Sequence, residues 1–197
     1  MTTTANDRYQ RLQEIGRGGM GTVWEALDTK FERRIALKDL DIKEDRIEDR
    51  KRWFEREALI QAKLKHDAIL EVYEYVDDDK EHPFYTMQLV SGGPKGEKPS
   101  IHERLKIRKF VLPEILDIAR QLANALHYLW MNKVVHRDLK PANLLLENRG
   151  DGTVRLLIAD FGLAVFHDQA AVTSTRTLRL GTPEYWAPEQ KARGQAD

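Results

Sequence analysis

The pattern of apolar and polar residues over the first ninety positions predicts five strands and one helix. Each strand candidate is rich in β-branched and aromatic residues and is bounded by turn residues. The five candidates are 9–15, 22–24, 35–37, 69–76 and 84–90. Between the third and the fourth, apolar residues recur at helical spacing, which predicts a helix over 43–65.

The stretch 91–100, SGGPKGEKPS, is the clearest break in the pattern, with three glycines and two prolines. Such a stretch predicts a boundary between an N-terminal lobe, 1–90, and a C-terminal lobe, 91–197. Beyond it, apolar residues at helical spacing and a proline suited to the first turn predict a helix over 113–131. Residues 144–146 and 154–158 flank a glycine-containing turn and predict a hairpin. Residues 162–197 are weakly periodic and are predicted as loop.

Composition narrows the class of protein. The chain has 197 residues, 41% of them hydrophobic, with 32 Lys and Arg against 32 Asp and Glu and no Cys. This length and apolar content suffice for a hydrophobic core, and the lack of Cys excludes disulfides and thiolate zinc sites. A net charge of zero gives no indication of a nucleic-acid partner. No stretch approaches the roughly 18 apolar residues of a membrane span, so we expect a soluble, cytoplasmic protein.

Gly16, Gly18 and Gly21 form a G-x-G-x-x-G pattern between two strand candidates. Backbone without Cβ atoms can approach a polyphosphate closely and offer N–H groups to it. An isolated pattern of this kind is equally typical of an ordinary glycine-rich hairpin. The strand that follows argues against a dinucleotide-binding fold, in which this pattern opens a helix.

Lys38 follows three apolar residues at the end of the third strand candidate. An ammonium at the edge of a buried sheet needs an anionic partner, and Glu57 on the predicted helix can supply one. Two plainer interpretations stay open at this point. Lys38 can extend its ammonium to solvent, and Glu57 can be a solvated residue of a charge-rich helix.

Three further motifs follow in chain order. They are His136-Arg137-Asp138 with Asn143 five residues after the aspartate, Asp160-Phe161-Gly162, and Ala187-Pro188-Glu189. Together with the glycines, Lys38 and Glu57, they resemble the signature set of eukaryotic-type (Hanks-type) serine/threonine protein kinases, most of all the bacterial members. The resemblance covers residues 9–189. It implies an α+β, two-lobed protein kinase-like fold with a five-stranded antiparallel sheet and one helix, then an incomplete, mainly helical lobe.

The resemblance also implies roles in ATP and Mg²⁺ binding. The three glycines would cover the ATP phosphates, and Lys38, held by Glu57, would contact the α- and β-phosphates. Asp160 and Asn143 would hold the magnesium ions. The residues implied in the adenine pocket are Val23, Ala36, Met87 and Leu145.

For the transfer step, the resemblance implies that Asp138 accepts or orients the proton of a substrate hydroxyl and that Lys140 neutralises the γ-phosphoryl group. Lys140 and Thr182, expected beside Asp138, are typical of the serine/threonine branch. The partner is therefore a protein substrate with Ser or Thr. The alternative is a catalytically inactive kinase remnant, acting as a nucleotide-binding or scaffold module, because the C-terminal helices of the family are missing.

Arg137 indicates regulation, since an arginine beside the catalytic aspartate can pair with a phosphorylated loop. The candidate phosphorylation sites lie between the second and third motifs and are Thr173, Ser174, Thr175 and Thr177. Autophosphorylation at Thr175 or Thr177 is expected to activate the enzyme, with a dimer for phosphorylation in trans. The alternative for this segment is a threonine-rich solvated loop.

Overall fold

A computed structural model describes residues 8–18, 21–41, 47–77, 83–92, 98–166, 182–188 and 191. These residues form two compact units. The first unit holds the described residues up to Lys63 together with Leu70–Leu89. The second unit holds Leu64–Ile69 and the described residues from Val90 onward.

The first unit is built on a five-stranded antiparallel sheet, as predicted. Its strands are β1 (Tyr9–Arg17), β2 (Gly21–Asp28), β3 (Arg33–Leu40), β4 (Val72–Val76) and β5 (Phe84–Met87). They lie in the order β1-β2-β3-β5-β4, so β5 pairs with β3 and leaves β4 at the edge. The fourth and fifth strands are shorter than the predicted 69–76 and 84–90. Ile69 instead makes a parallel bridge to Ile158 within the second unit.

Both faces of this sheet bury apolar side chains. One face carries a cluster in which Tyr9 packs edge-on against Phe84 at 5.7 Å between ring centroids. The opposite face carries Lys38 and Tyr85 and meets α1 (Ile47–Lys63), the predicted helix. The α1 residues Phe54, Ala58 and Ile60 are buried, as the helical spacing predicted. The sequence alternation in β3 therefore separates an apolar face from a face with functional groups.

The second unit combines helices with two short two-stranded sheets. Its elements are α2 (Ile101–Ile107), α3 (Leu112–Met131), β6 (Val134–Val135), β7 (Leu144–Asn148), β8 (Val154–Ile158) and β9 (Val165–Phe166). The β7–β8 hairpin is the one predicted from sequence. The interpretation of 162–197 as loop is wrong where β9 pairs with β6 and at a 3₁₀ turn over Pro183–Tyr185.

The buried face of α3 is narrower than the apolar pattern predicted. Ile118, Ala125 and Leu129 are buried, whereas Ile115 and Leu126 are exposed. The buried residues share a stripe with Gln121, whose amide bonds to the backbone of β8 at Val154 and Leu156. Contact with β8 and β6 therefore selects one stripe of a broader apolar surface.

The short helix α2 was not predicted from sequence. The Ser100 Oγ accepts the Glu103 backbone N–H and caps its first turn. Arg104 is buried and donates from one guanidinium nitrogen to the Leu146 carbonyl at 2.7 Å and the Asn148 side-chain oxygen at 2.8 Å. These bonds attach α2 to β7. No helix in the described part of the chain is long and apolar enough to span a lipid bilayer.

Candidate active site in two parts

The first unit holds a buried ion pair between β3 and α1. Lys38 Nζ lies 2.7 Å from Glu57 Oε1, and the two side chains are 11% and 0% exposed. The pair that the sequence suggested is thus formed, and Lys38 does not extend to bulk solvent. Because both side chains are buried, removal of either one would leave the other as an uncompensated charge in a medium of low dielectric constant.

The sequence pattern did not indicate a third member of this group. Tyr85 lies directly opposite Lys38 in the β3–β5 register, and its hydroxyl donates to Glu57 Oε1 at 2.9 Å. One carboxylate oxygen therefore receives a hydrogen bond from each of two neighbouring strands. No short motif marks such a residue, since its role depends on strand register.

The three glycines differ in what the protein itself requires of them. A Cβ on Gly21 would lie 1.8 Å from the Asp39 carbonyl oxygen, so the packing of β2 on β3 requires glycine at this position. A Cβ on Gly16 would make ordinary contact with Val23, and a Cβ on Gly18 would meet no atom within 4 Å. Open space at Gly18 is consistent with a backbone that a phosphate group approaches.

Three residues implied in the adenine pocket share one face of the sheet with Lys38. Ala36 on β3 lies opposite Met87 on β5, and Val23 on β2 lies opposite Lys38. Ala36 and Met87 are buried, and Val23 is half-buried. The fourth residue, Leu145, belongs to β7 of the second unit and is half-buried.

The second unit gathers Asp138, Lys140, Asn143 and Thr182 around one carboxylate. Lys140 Nζ lies 2.7 Å from Asp138 Oδ2 and donates to Thr182 Oγ1 at 2.9 Å. The Thr182 backbone N–H and hydroxyl both reach Asp138 Oδ1 at 3.2 Å. Asn143 Nδ2 donates to the Asp138 carbonyl at 2.9 Å and to its carboxylate at 3.1 Å. The Asp138 carboxylate is thereby fixed in orientation, and Thr182 lies where it was predicted.

Asp160 follows β8 and is linked to the same loop. The Ala159 N–H donates to the Asn143 carbonyl at 2.9 Å, which fixes the start of the Asp160 segment beside Asn143 along the backbone. Asp160 has φ of +63° and Arg137 has φ of +67°. Non-glycine residues in this conformation carry strain, which the surrounding structure must hold. Both lie in the predicted motifs.

His136 connects these two strained residues. It is buried, its Nε2 lies 3.2 Å from the Ala159 carbonyl, and the Asp138 N–H reaches its Nδ1 at 3.3 Å. The ring packs on Phe161 at 4.7 Å between centroids. Burial lowers the pKa of His136, and the bond to Ala159 together with the nearby Asp160 opposes this. A neutral ring that donates from Nε2 and accepts at Nδ1 satisfies both contacts.

The donors present suit magnesium in number and type. Asn143 uses its amide nitrogen toward Asp138, which leaves its amide oxygen as the end that can bind a cation. Asp160 adds a carboxylate, and both are the hard oxygen ligands that Mg²⁺ prefers. Among the described residues, no group of three or more His, Cys, Asp or Glu could hold a metal ion. A pair of protein ligands fits Mg²⁺, which usually keeps water and phosphate oxygens as its other ligands.

The remaining predicted residues lie outside the described part of the chain. They are Glu189 and the candidate phosphorylation sites Thr173, Ser174, Thr175 and Thr177. Their roles stay predictions.

Comparison with known proteins agrees with the geometry. Residues 9–195 match the model of the protein kinase domain. The chain is 35% identical over 191 residues to the serine/threonine-protein kinase PknA of Mycobacterium tuberculosis H37Rv, covering 95% of this chain and 42% of PknA. It is 34% identical over 194 residues to PknL of the same strain, covering 98% and 45%. A probable serine/threonine-protein kinase of Streptomyces coelicolor, SCO3848, is 34% identical over 195 residues, covering 96% and 28%. The chain spans less than half the length of these relatives.

Proposed function

Because this chain belongs to the protein kinase family, of the bacterial Hanks type, we propose that it transfers the γ-phosphoryl group of ATP to Ser or Thr hydroxyls of proteins. The observation that supports this best is the Asp138 carboxylate, held by Thr182, Asn143 and Lys140. A carboxylate with fixed orientation beside a lysine ammonium combines a proton acceptor with a cation for a transferred phosphoryl group.

In this proposal Asp138 accepts the proton of the substrate hydroxyl while that oxygen bonds to the γ-phosphorus. The bond between the γ-phosphorus and the bridging oxygen to the β-phosphate breaks, and ADP leaves with the bonding electron pair. Lys140 lies 2.7 Å from Asp138 and offsets the negative charge of the phosphoryl group during transfer. The Thr182 contacts keep the carboxylate turned toward the substrate.

Nucleotide-binding roles are proposed within each unit separately. Lys38, fixed by Glu57, contacts the α- and β-phosphates, and the backbone near Gly18 approaches the phosphates without steric hindrance from a side chain. In the first unit, Ala36, Met87 and Val23 are proposed to contact adenine. Asp160 and Asn143 hold magnesium, which supplies charge neutralisation of the phosphates when bound.

The names of the relatives support the choice of Ser and Thr over Tyr as acceptors, and so does the bond between Lys140 and Thr182. We propose that the chain acts in the cytoplasm. The chain has no Cys and so forms no disulfide, which fits a reducing compartment. Phosphorylation in trans between two copies, at the threonine-rich segment, stays a prediction.

The alternative function, an inactive nucleotide-binding or scaffold module, makes a different prediction about turnover. Inactive kinases usually lack at least one of the residues that bind ATP, magnesium or the substrate proton. This chain retains Lys38, Asp138, Asn143 and Asp160, which supports an enzyme.

A transfer assay with Asp138→Asn as control separates the two functions. The parent chain, incubated with Mg-ATP and a basic protein substrate, is expected to phosphorylate it, and Asp138→Asn should lower the rate about 10²–10⁴-fold. Thermal stabilisation by Mg-ATP should persist in both proteins, because Asp138 acts on the acceptor hydroxyl. Stabilisation by nucleotide in a parent that shows no transfer would contradict the kinase function and support the binding module.

A further inference from the structure

Tyr85 is a buried residue beside the Lys38–Glu57 pair that the proposed function does not use. It is 1% exposed on β5, and its hydroxyl donates to Glu57 Oε1 at 2.9 Å. The same oxygen receives Lys38 Nζ at 2.7 Å. The Lys38 ammonium also lies 5.6 Å from the centre of the Tyr85 ring. Tyr85 therefore contacts both members of the pair.

We propose that Tyr85 is a positioning residue for phosphoryl transfer, which holds the Glu57 carboxylate so that Lys38 is presented to ATP. This inference rests on the proposed function, since it concerns the lysine assigned to the α- and β-phosphates. In this proposal Tyr85 does not contact the nucleotide. Its effect passes through Glu57 and then through Lys38.

The buried carboxylate of Glu57 requires hydrogen-bond donors from the protein. The Glu57 side chain is fully buried, and a buried charge is stable only when partners replace the hydrogen bonds that water would make. Hydrogen bonds to a charged acceptor are about twice as strong as those between neutral groups. The phenol hydroxyl thus adds a strong contact to Glu57 from a strand other than that of Lys38.

Tyr85 also joins helix α1 to the sheet. The Tyr85 ring packs on Phe54 of α1 at 5.1 Å between centroids, one turn before Glu57 on the same helix. Tyr85 therefore attaches α1 to the sheet at two adjacent points, one apolar and one polar. Because Tyr85 lies opposite Lys38 in the strand register, these two contacts hold Glu57 beside the Lys38 ammonium. Without the hydroxyl, Glu57 can move together with Lys38 away from the binding geometry.

The test is Tyr85→Phe, which removes the hydroxyl and keeps the ring. Tyr75→Phe is a matched control, since Tyr75 lies opposite Tyr85 on β4 and packs on the same Phe54 at 6.4 Å. In the described structure, its hydroxyl is not among the groups that contact Glu57. Affinity for a fluorescent ATP analogue with Mg²⁺ is expected to fall about tenfold in Tyr85→Phe, the effect of losing one charge-assisted hydrogen bond. Tyr75→Phe should stay within about twofold of the parent.

The same substitution in a Lys38→Met variant distinguishes a positioning role from simple structural support. In Lys38→Met, the bond between Tyr85 and Glu57 can still form, but the ammonium that it serves is gone. Adding Tyr85→Phe to Lys38→Met should therefore still lower the urea midpoint of unfolding, yet leave the residual nucleotide affinity unchanged.

Two results would overturn the role of Tyr85 in a parent that binds nucleotide. One is unchanged affinity in Tyr85→Phe, and the other is an equal loss of affinity with and without Lys38. A parent chain that takes up no nucleotide contradicts the proposed function itself, and the positioning role with it. The urea midpoints then report separately on whether the contact between Tyr85 and Glu57 exists.

Discussion

The two units hold their charged groups in different ways. In the first unit, Lys38 and Glu57 lie in the dry interface between a regular sheet and a helix, with side chains 11% and 0% exposed. In the second unit, Lys140 and Asp138 lie on irregular chain, with side chains 23% and 10% exposed. The first pair is held by secondary structure that surrounds it. The second is held by a network of hydrogen bonds from Thr182 and Asn143.

The backbone conformation of the two units differs in the same way. Arg137 and Asp160 in the second unit adopt positive φ, whereas the ion pair of the first unit lies on regular strand and helix. Strained loops give side chains orientations that regular elements do not offer, and they are stable only when neighbours fix them. The comparison indicates that the first unit fixes one group by burial, and that the second orients several groups by hydrogen bonds.

The largest expected contrast is between two lysine substitutions. Lys38→Met should lower the free energy of unfolding by about 3–5 kcal/mol, because it leaves Glu57 charged and buried. Lys140→Met should cost only about 1 kcal/mol, since its partner Asp138 retains hydrogen bonds from Asn143 and Thr182. Urea unfolding of both variants measures the difference. Equal costs would mean that burial does not distinguish the two pairs.

The second contrast concerns pH and His136. Burial lowers the pKa of this residue in the folded state, so protonation favours the unfolded chain. Stability is therefore complete above the unfolded pKa of about 6.5 and falls as the pH drops below it, by up to about 1.4 kcal/mol per pH unit. Urea unfolding between pH 8 and pH 5 should show this slope in the parent.

The slope should shrink in His136→Phe, which removes the titrating ring. His127→Gln, at an exposed position of α3, is the control and should keep the slope of the parent. A slope of the same size in His136→Phe would show that another group causes the loss of stability in acid.

The smallest expected effect tests the strained backbone outside the motifs. Lys133 follows the end of α3 with φ of +57°, a position where glycine is favoured. Lys133→Gly should raise stability by about 1 kcal/mol and leave phosphoryl transfer unchanged. Glu32→Gly, at φ of +48° in the β2–β3 turn, should gain similarly in the first unit. A loss of stability in either variant, measured by thermal unfolding, would contradict the assignment of strain.

The sequence alone predicts the elements of the first unit more completely than those of the second. Runs of β-branched and aromatic residues predict the five strands, and Lys38 after three apolar residues predicts the need for an anionic partner, for which Glu57 is a candidate. Tyr85 was missed, since its partner depends on the register between β3 and β5. β4 begins later than predicted, since Ile69 bridges to Ile158 in the second unit instead.

In the second unit the motifs predict the loop residues of the site, but the pattern of apolar residues does not predict the short elements β9 and α2. The two-residue strand β9 pairs with β6 about thirty residues away and has no local signal. Helix α2 has a local signal, the Ser100 and Glu103 spacing typical of a helix start. This signal directly follows the glycine- and proline-rich stretch, which by itself predicts a break in regular structure. Gln121 completes the edge of β8 through its side chain, a contact that no pattern of apolar residues indicates.

We propose that the chain binds one ATP with Mg²⁺, that Lys38 contributes to the affinity for ATP, and that Asp160 contributes to the dependence on Mg²⁺. Calorimetric titration of the chain with ATP, with and without Mg²⁺, tests it most directly, with Asp160→Asn and Lys38→Met as comparisons. We expect uptake of one ATP per chain that strengthens with Mg²⁺, loses that dependence in Asp160→Asn and weakens at least tenfold, or about 1.4 kcal/mol, in Lys38→Met. Absence of uptake, or uptake that neither the metal nor either substitution changes, would contradict it.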